Sequence, residues 1–121
     1  MKYMLLVYIN ENIWAPGEQQ QCYEESTRLA HDLHANGQFL AAAPLHPVAT
    51  ATSVRVREGK LLISDGPFAE TREQLGGYYL INADNLDEAI AISARIPGAK
   101  KGVIEVRPVM EIPNVPPSSN A

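Results

Sequence analysis

The sequence predicts an α+β domain: a mostly antiparallel sheet with two helices on one face. Three observations predict it. Strand-like and helix-like segments follow one another as β-α-β, a hairpin, then β-α-β. Each helical segment carries a single apolar stripe. The length, 121 residues with 45% hydrophobic and 20% charged, suits one soluble domain with one core.

Residues 2 to 9 are rich in Tyr, Leu, Val and Ile and stop at Asn10-Glu11-Asn12, so they read as a strand. Tyr3, Leu5, Val7 and Ile9 form one alternation set and Met4, Leu6 and Tyr8 the other, which predicts a strand covered on both faces. After Ala15-Pro16-Gly17 a helix runs from about 18 to 36, with Cys22, Ser26, Leu29, Ala30 and Leu33 on its apolar stripe. Glu24, Thr27, His31 and His34 occupy the other side. Phe39 to Leu45 is a second strand, bounded by Gly37 and Pro47. Residues 52 to 64 form a hairpin that turns at Glu58-Gly59. Ala69 to Leu75 reads as one or two helical turns stopped by Gly76-Gly77, and Tyr78 to Ile81 as a strand. Asn85-Leu86-Asp87-Glu88 resembles a capping box. The helix it opens places Leu86, Ala89, Ile90, Ser93 and Ile96 on one stripe and stops at Pro97-Gly98; Val103 to Met110 is the last strand. This order is the ferredoxin-like arrangement. Residues 1–111 form the domain, and the Pro/Ser-rich stretch 112–121 reads as a flexible tail. Strands apolar on both sides leave one sheet face wet in a monomer, so a homodimer with the sheets face to face is expected, with a cleft between them.

Composition narrows the function. Ten Lys and Arg against fourteen Asp and Glu give a net charge of -4, which argues against a nucleic-acid surface. One cysteine, Cys22, excludes an internal disulfide and reads as a small buried hydrophobe. No apolar run approaches the roughly 20 residues of a membrane helix. The first strand lacks a small-residue cleavage site, so it is no signal peptide and a cytoplasmic location is expected.

Asp65-Gly66-Pro67-Phe68 is the most unusual segment, and two readings of it stand. In the first, Pro67 stiffens the loop and holds Asp65 as an acid/base at a cleft, with Phe68 as an apolar wall. In the second, Asp65 bonds nearby backbone N–H groups in an Asx-turn and Phe68 plugs the core. His46, after the second strand, is either the base beside Asp65 or a plain loop residue. Arg72 either pairs with Glu70 or Glu73 or, with Arg55 or Arg57, grips a carboxylate ligand. Arg107 lies against Glu105 or reaches the loop. Tyr78 and Tyr79 point to opposite faces, one onto the helices and one into the dimer cavity. His31 and His34 could form one edge of a metal site. However, Glu24 and Thr27 are poor company for zinc, so neither metal nor cofactor is expected.

The run DGPFAETREQLGGYY, Asp65 to Tyr79, resembles the signature of the DGPF-motif branch of the YCII-related family. Ala51 to Arg57, Leu86-Asp87-Glu88-Ala89 and Glu105 to Val109 support the likeness, which spans about residues 2 to 111. The resemblance implies a ferredoxin-like fold associating as a dimeric α/β barrel. Some relatives are small enzymes on muconate-like or lactone-like compounds, relying on a His–Asp pair whose histidine lies early in the first helix. The matching stretch here is Glu24-Glu25-Ser26-Thr27, so that histidine is not carried over. Other proteins of the branch resemble partners of alternative sigma factors. Two functions follow as expectations. The first is a small cofactor-free enzyme or binder for an organic acid or ring compound. In it Asp65 and His46 act in catalysis, and Arg72, Phe68, Tyr79 and Arg55 hold the substrate. The second is a non-catalytic partner linked to sigma-factor-dependent transcription initiation.

Overall fold

The computed structural model describes residues 1–116. Strand β1 (Lys2–Ile9) leads through a 3-10 turn (Glu11–Ile13) to helix α1 (Glu18–Ala35) and strand β2 (Phe39–Pro44). The hairpin β3 (Thr52–Arg57) and β4 (Lys60–Asp65) follows, then β5 (Gln74–Asn82), α2 (Leu86–Ser93), a 3-10 helix (Pro97–Lys100) and β6 (Val103–Pro108). Four strands form an antiparallel sheet in the order β2-β5-β1-β6. The expected ferredoxin-like arrangement is therefore present, and the hairpin is a separate two-stranded sheet. The expected tail begins within the described residues; its end, 117–121, lies outside them. Among the described residues no helix is long and apolar enough to cross a membrane.

Local chemistry sets the element ends. Asn10 accepts a hydrogen bond from the Asn12 N–H at 3.0 Å, ending β1 in the 3-10 turn. Helix α1 ends in a Schellman motif: Gln38 N donates to Leu33 O at 2.8 Å and Gly37 N to His34 O at 3.1 Å. Gly37 takes the left-handed φ of 72° this requires. The hairpin turns at Glu58 (φ 52°) and Gly59 (φ 75°), the positive pair a two-residue turn needs.

The core lies between the helices and one sheet face. Tyr3 and Leu5 of β1 and Tyr79 and Ile81 of β5 meet Leu29 and Leu33 of α1. Leu5, Leu33 and Ile81 are fully enclosed, each contributing about 1.5–3 kcal/mol by leaving water. Ala89 and Ile92 of α2 complete this core with Ile96. On the other sheet face Met4, Leu6, Tyr8, Tyr78 and Leu80 are only half-buried; the chain covers one face of β1, not both.

Three expectations need correction. Ala69 to Leu75 is not helical; the segment bends and β5 begins at Gln74. There Leu75 and Gln74 pair with Tyr8 and Ile9, and sheet pairing outweighs helix propensity, so Gly76 and Gly77 lie inside the strand. In α2 the buried face is Ala89, Ile92 and Ser93, whereas Leu86 and Ile90 are each 51% exposed. The helix is only eight residues long, and its contact with the sheet, not its sequence stripe, sets its rotation. The capping box is half formed. Asn85 accepts from Glu88 N at 2.9 Å, but Glu88 takes the Asp84 N–H and the Gln38 amide instead of Asn85 N.

Candidate functional site

A cavity of about 280 Å³ lies between α1 and the sheet. It exists because small residues stand at core-facing positions of three elements: Ala30 on α1, Ala42 on β2 and Gly77 on β5. Gly77 could not simply be larger, because a Cβ there would come within 3.0 Å of Ala43 O on the neighbouring strand. Val7 and Tyr79 supply the sheet side, and Cys22 and Ser26 the helix side. Glu11, Trp14, Leu45 and Pro47 border it where β1 and β2 end. That border is tied together by Glu11, whose carboxylate accepts from Val48 N at 2.9 Å. Lys101 pairs with Glu18 at 2.7 Å, fixing the start of α1 alongside.

Apart from Glu11 and His31, the polar side chains lining the cavity are hydroxyl, amide, thiol and indole groups. Tyr79 is 5% exposed, and its hydroxyl donates to the Ser26 main-chain oxygen at 2.9 Å. Burial pushes the Tyr79 phenol above its ordinary value, outweighing the contact with Ser26. Burial likewise pushes the Cys22 thiol up, so both groups stay protonated at neutral pH. Cys22 is half-buried and lines the cavity, a place its apolar-stripe position only partly foretells. The indole N–H of Trp14 is buried without a hydrogen-bond partner, alone in this among the described side chains. Among the described residues no Lys or Arg lines the cavity, and its histidine and carboxylate are His31 and Glu11.

The residues singled out from sequence are split between two places. Tyr79 is in the cavity. Asp65 ends β4 opposite Thr52 and is exposed. Among the described residues its carboxylate has neither hydrogen-bond nor ion-pair partner, so the single chain shows neither the dry acid nor the Asx-turn. Gly66 instead anchors the segment, donating to Ala51 O at 2.7 Å and accepting from the Ser53 hydroxyl at 2.9 Å. Phe68 is 75% exposed and does not plug the core. It lies against Arg55, whose guanidinium carbon is 4.9 Å from the ring centroid, a cation–π contact. These departures share one cause: the hairpin carries the segment away from the helix–sheet core. His46 is exposed between two cavity-lining residues without lining it, and no hydrogen bond or ion pair joins it to Asp65. Arg72 is exposed without an ion pair among the described residues, and Arg107 pairs at the surface with Glu105 at 3.6 Å. His31 and His34 are exposed, His34 edge-on to Phe39. No group of three potential ligands for a metal occurs among the described residues. Sequence reasoning missed Trp14 and the small residues that open the cavity. A glycine in the core-facing set of a strand was the available signal.

The fold has a counterpart among solved structures. A solved structure of 5-chloro-2-hydroxyhydroquinone dehydrochlorinase from Burkholderia phenoliruptrix, in complex with 2,5-dihydroxybenzoquinone, is similar with a TM-score of 0.51. It is 14% identical and covers 91% of this chain and 94% of its own; at that identity the likeness speaks for the fold. An uncharacterised protein of Rhizobium meliloti is 33% identical over 114 residues, 90% of this chain and 92% of its own. Residues 1–113 match the YCII-related domain. With residues 1–113 matched and a relative of that identity along nearly all of the chain, the chain belongs to the YCII-related domain family.

Proposed function

We propose that the chain binds a small, uncharged, hydroxyl- or carbonyl-bearing ring compound in the cavity between α1 and the sheet, without a cofactor. The observation that carries this reading is the cavity's chemistry: an apolar enclosure with protonated Tyr79 and Cys22, an unpartnered Trp14 N–H and no cation. Drug-sized ligands occupy pockets of roughly 300–1,000 Å³, so about 280 Å³ suits a single substituted ring. An organic acid fits less well, because a buried carboxylate needs a cation or several donors to offset its desolvation. The dehydrochlorinase of similar fold was solved with a dihydroxybenzoquinone, a ring in this size class. The Asp65–Tyr79 run supports placing the chain in the DGPF-motif branch. Asp65 could act on such a ring only where a second copy closes the hairpin segment over a ligand.

Trp14 is the single tryptophan and reports on its own cavity. Titration with 1,4-dihydroxybenzene is expected to quench its fluorescence saturably, with benzoate binding at least about tenfold more weakly, as an unpaired buried charge requires. Ala30→Phe fills the cavity and should abolish the quenching while the far-ultraviolet circular dichroism is unchanged. Absence of saturable quenching, or equal affinity in Ala30→Phe, refutes the reading.

A further inference from the structure

The cavity between α1 and the sheet is long for its volume. Its α1 wall recurs at every turn, from Gln19 through Cys22, Ser26 and Ala30 to His31. Gln19 and His31 stand twelve positions apart, which is about 18 Å along a helix. The β2 wall runs from Phe39 to Pro44, about 16 Å of strand. An apolar space of about 150 Å³ accepts one benzene ring, so a ring leaves nearly half of the 280 Å³ unfilled. Spread over about 16–18 Å, that volume averages about 16–18 Å² in section, a slot that favours an unbranched chain over a branched one.

The two halves of the slot differ in chemistry. Around Ala30 the polar groups gather: Tyr79 donates to Ser26 O at 2.9 Å, and Thr27 and His31 are exposed beside them. Ala42, paired with Tyr79 in the sheet, is small, and with Ala30 it gives this half the width of a ring. Cys22 lies one turn before Ser26, and beyond it the walls are Val7, Ile9, Trp14 and Leu45. Val7 meets Gly98 so closely that a Cβ there would come within 2.9 Å of Val7 Cγ1, so this wall has little room to retreat. Glu11 lies at the same end, and its carboxylate already accepts from Val48 N.

We propose that the ring compound bound here carries an unbranched apolar chain para to its oxygen. The ring sits at Ala30 and Tyr79, and the chain runs past Cys22 to Trp14 and Leu45. This rests on the ring-binding reading above and names the class within it: phenols and related oxygenated rings with a linear alkyl substituent. Burial of the chain supplies affinity in proportion to its length, while the polar half fixes which end enters.

Isothermal titration calorimetry of the full chain with 4-methyl-, 4-butyl- and 4-hexylphenol tests this. Affinity is expected to rise about two- to fourfold for each added methylene. 4-tert-Butylphenol has the carbon count of 4-butylphenol in a branched group, and it should bind at least about fivefold more weakly, because an overfilled wall must be displaced. Cys22→Phe occupies the chain half and should flatten the series, with circular dichroism confirming its fold. A flat series in wild type with 1,4-dihydroxybenzene still bound overturns the chain and leaves the ring reading standing. Equal affinity for the two butylphenols overturns it too, as does a folded Cys22→Phe that keeps the wild-type rise. Failure of 1,4-dihydroxybenzene and every phenol to bind removes the ring reading and this proposal together.

Discussion

Replacing Tyr79 by Phe removes one oxygen from the cavity and leaves the ring in place. The hydroxyl donates to Ser26 O at 2.9 Å, and the residue is 5% exposed. Ser26 lies inside α1, so its carbonyl also receives the helical N–H four residues ahead. The substitution therefore leaves no acceptor stranded, and the loss is that of one neutral hydrogen bond, about 0.5–1.5 kcal/mol. For a domain of this length, about 1 kcal/mol corresponds to a fall in Tm of about 3–6 °C. Urea denaturation should show a lower midpoint with an unchanged slope, because the surface exposed on unfolding hardly changes. The same oxygen keeps a lone pair free to accept from a ligand hydroxyl. Affinity for 1,4-dihydroxybenzene should then fall about three- to tenfold, the equivalent of one hydrogen bond. A stability loss above about 3 kcal/mol would mean that the variant collapses packing or strands a polar group. Unchanged stability together with unchanged affinity would mean that the Tyr79 hydroxyl contributes to neither fold nor site, and the reasoning fails.

Two further outcomes are expected. Gly77→Ala places a Cβ 3.0 Å from Ala43 O and 3.3 Å from Pro44 Cα, both main-chain atoms of β2. It should cost about 1–3 kcal/mol in urea denaturation, and it should weaken ring binding as β2 shifts; a neutral variant would show that β2 yields freely. Burial holds the Cys22 thiol above its ordinary value, so the folded chain keeps that proton longer than the unfolded one. The resulting stability is complete below the ordinary thiol value and is lost as pH rises through the raised one. Tm between about pH 7 and pH 10 should therefore decline less steeply in Cys22→Ala, with Tyr79 adding to the decline in both proteins. An equal or steeper decline in the variant counts against the buried thiol.

Much of the fold was legible before any coordinates, because its signals are local. Apolar alternation in Lys2–Ile9, the stripe ending in Leu29 and Leu33, and Glu58-Gly59 between two strands each act within a few residues. Where local preference met a distant partner, the partner prevailed. Leu75 joins Tyr8 in the sheet instead of ending a helix, and α2 turns Leu86 and Ile90 outward because contact with the sheet chooses its buried side. The candidate site shows the same division. Asp65-Gly66-Pro67-Phe68 is the most conspicuous run in the sequence, yet the hairpin carries it into solvent. The cavity depends on Ala30, Ala42 and Gly77, small residues from three separate elements. Missing volume leaves no local signature, and only the packing of α1 across β2 and β5 turns it into a space.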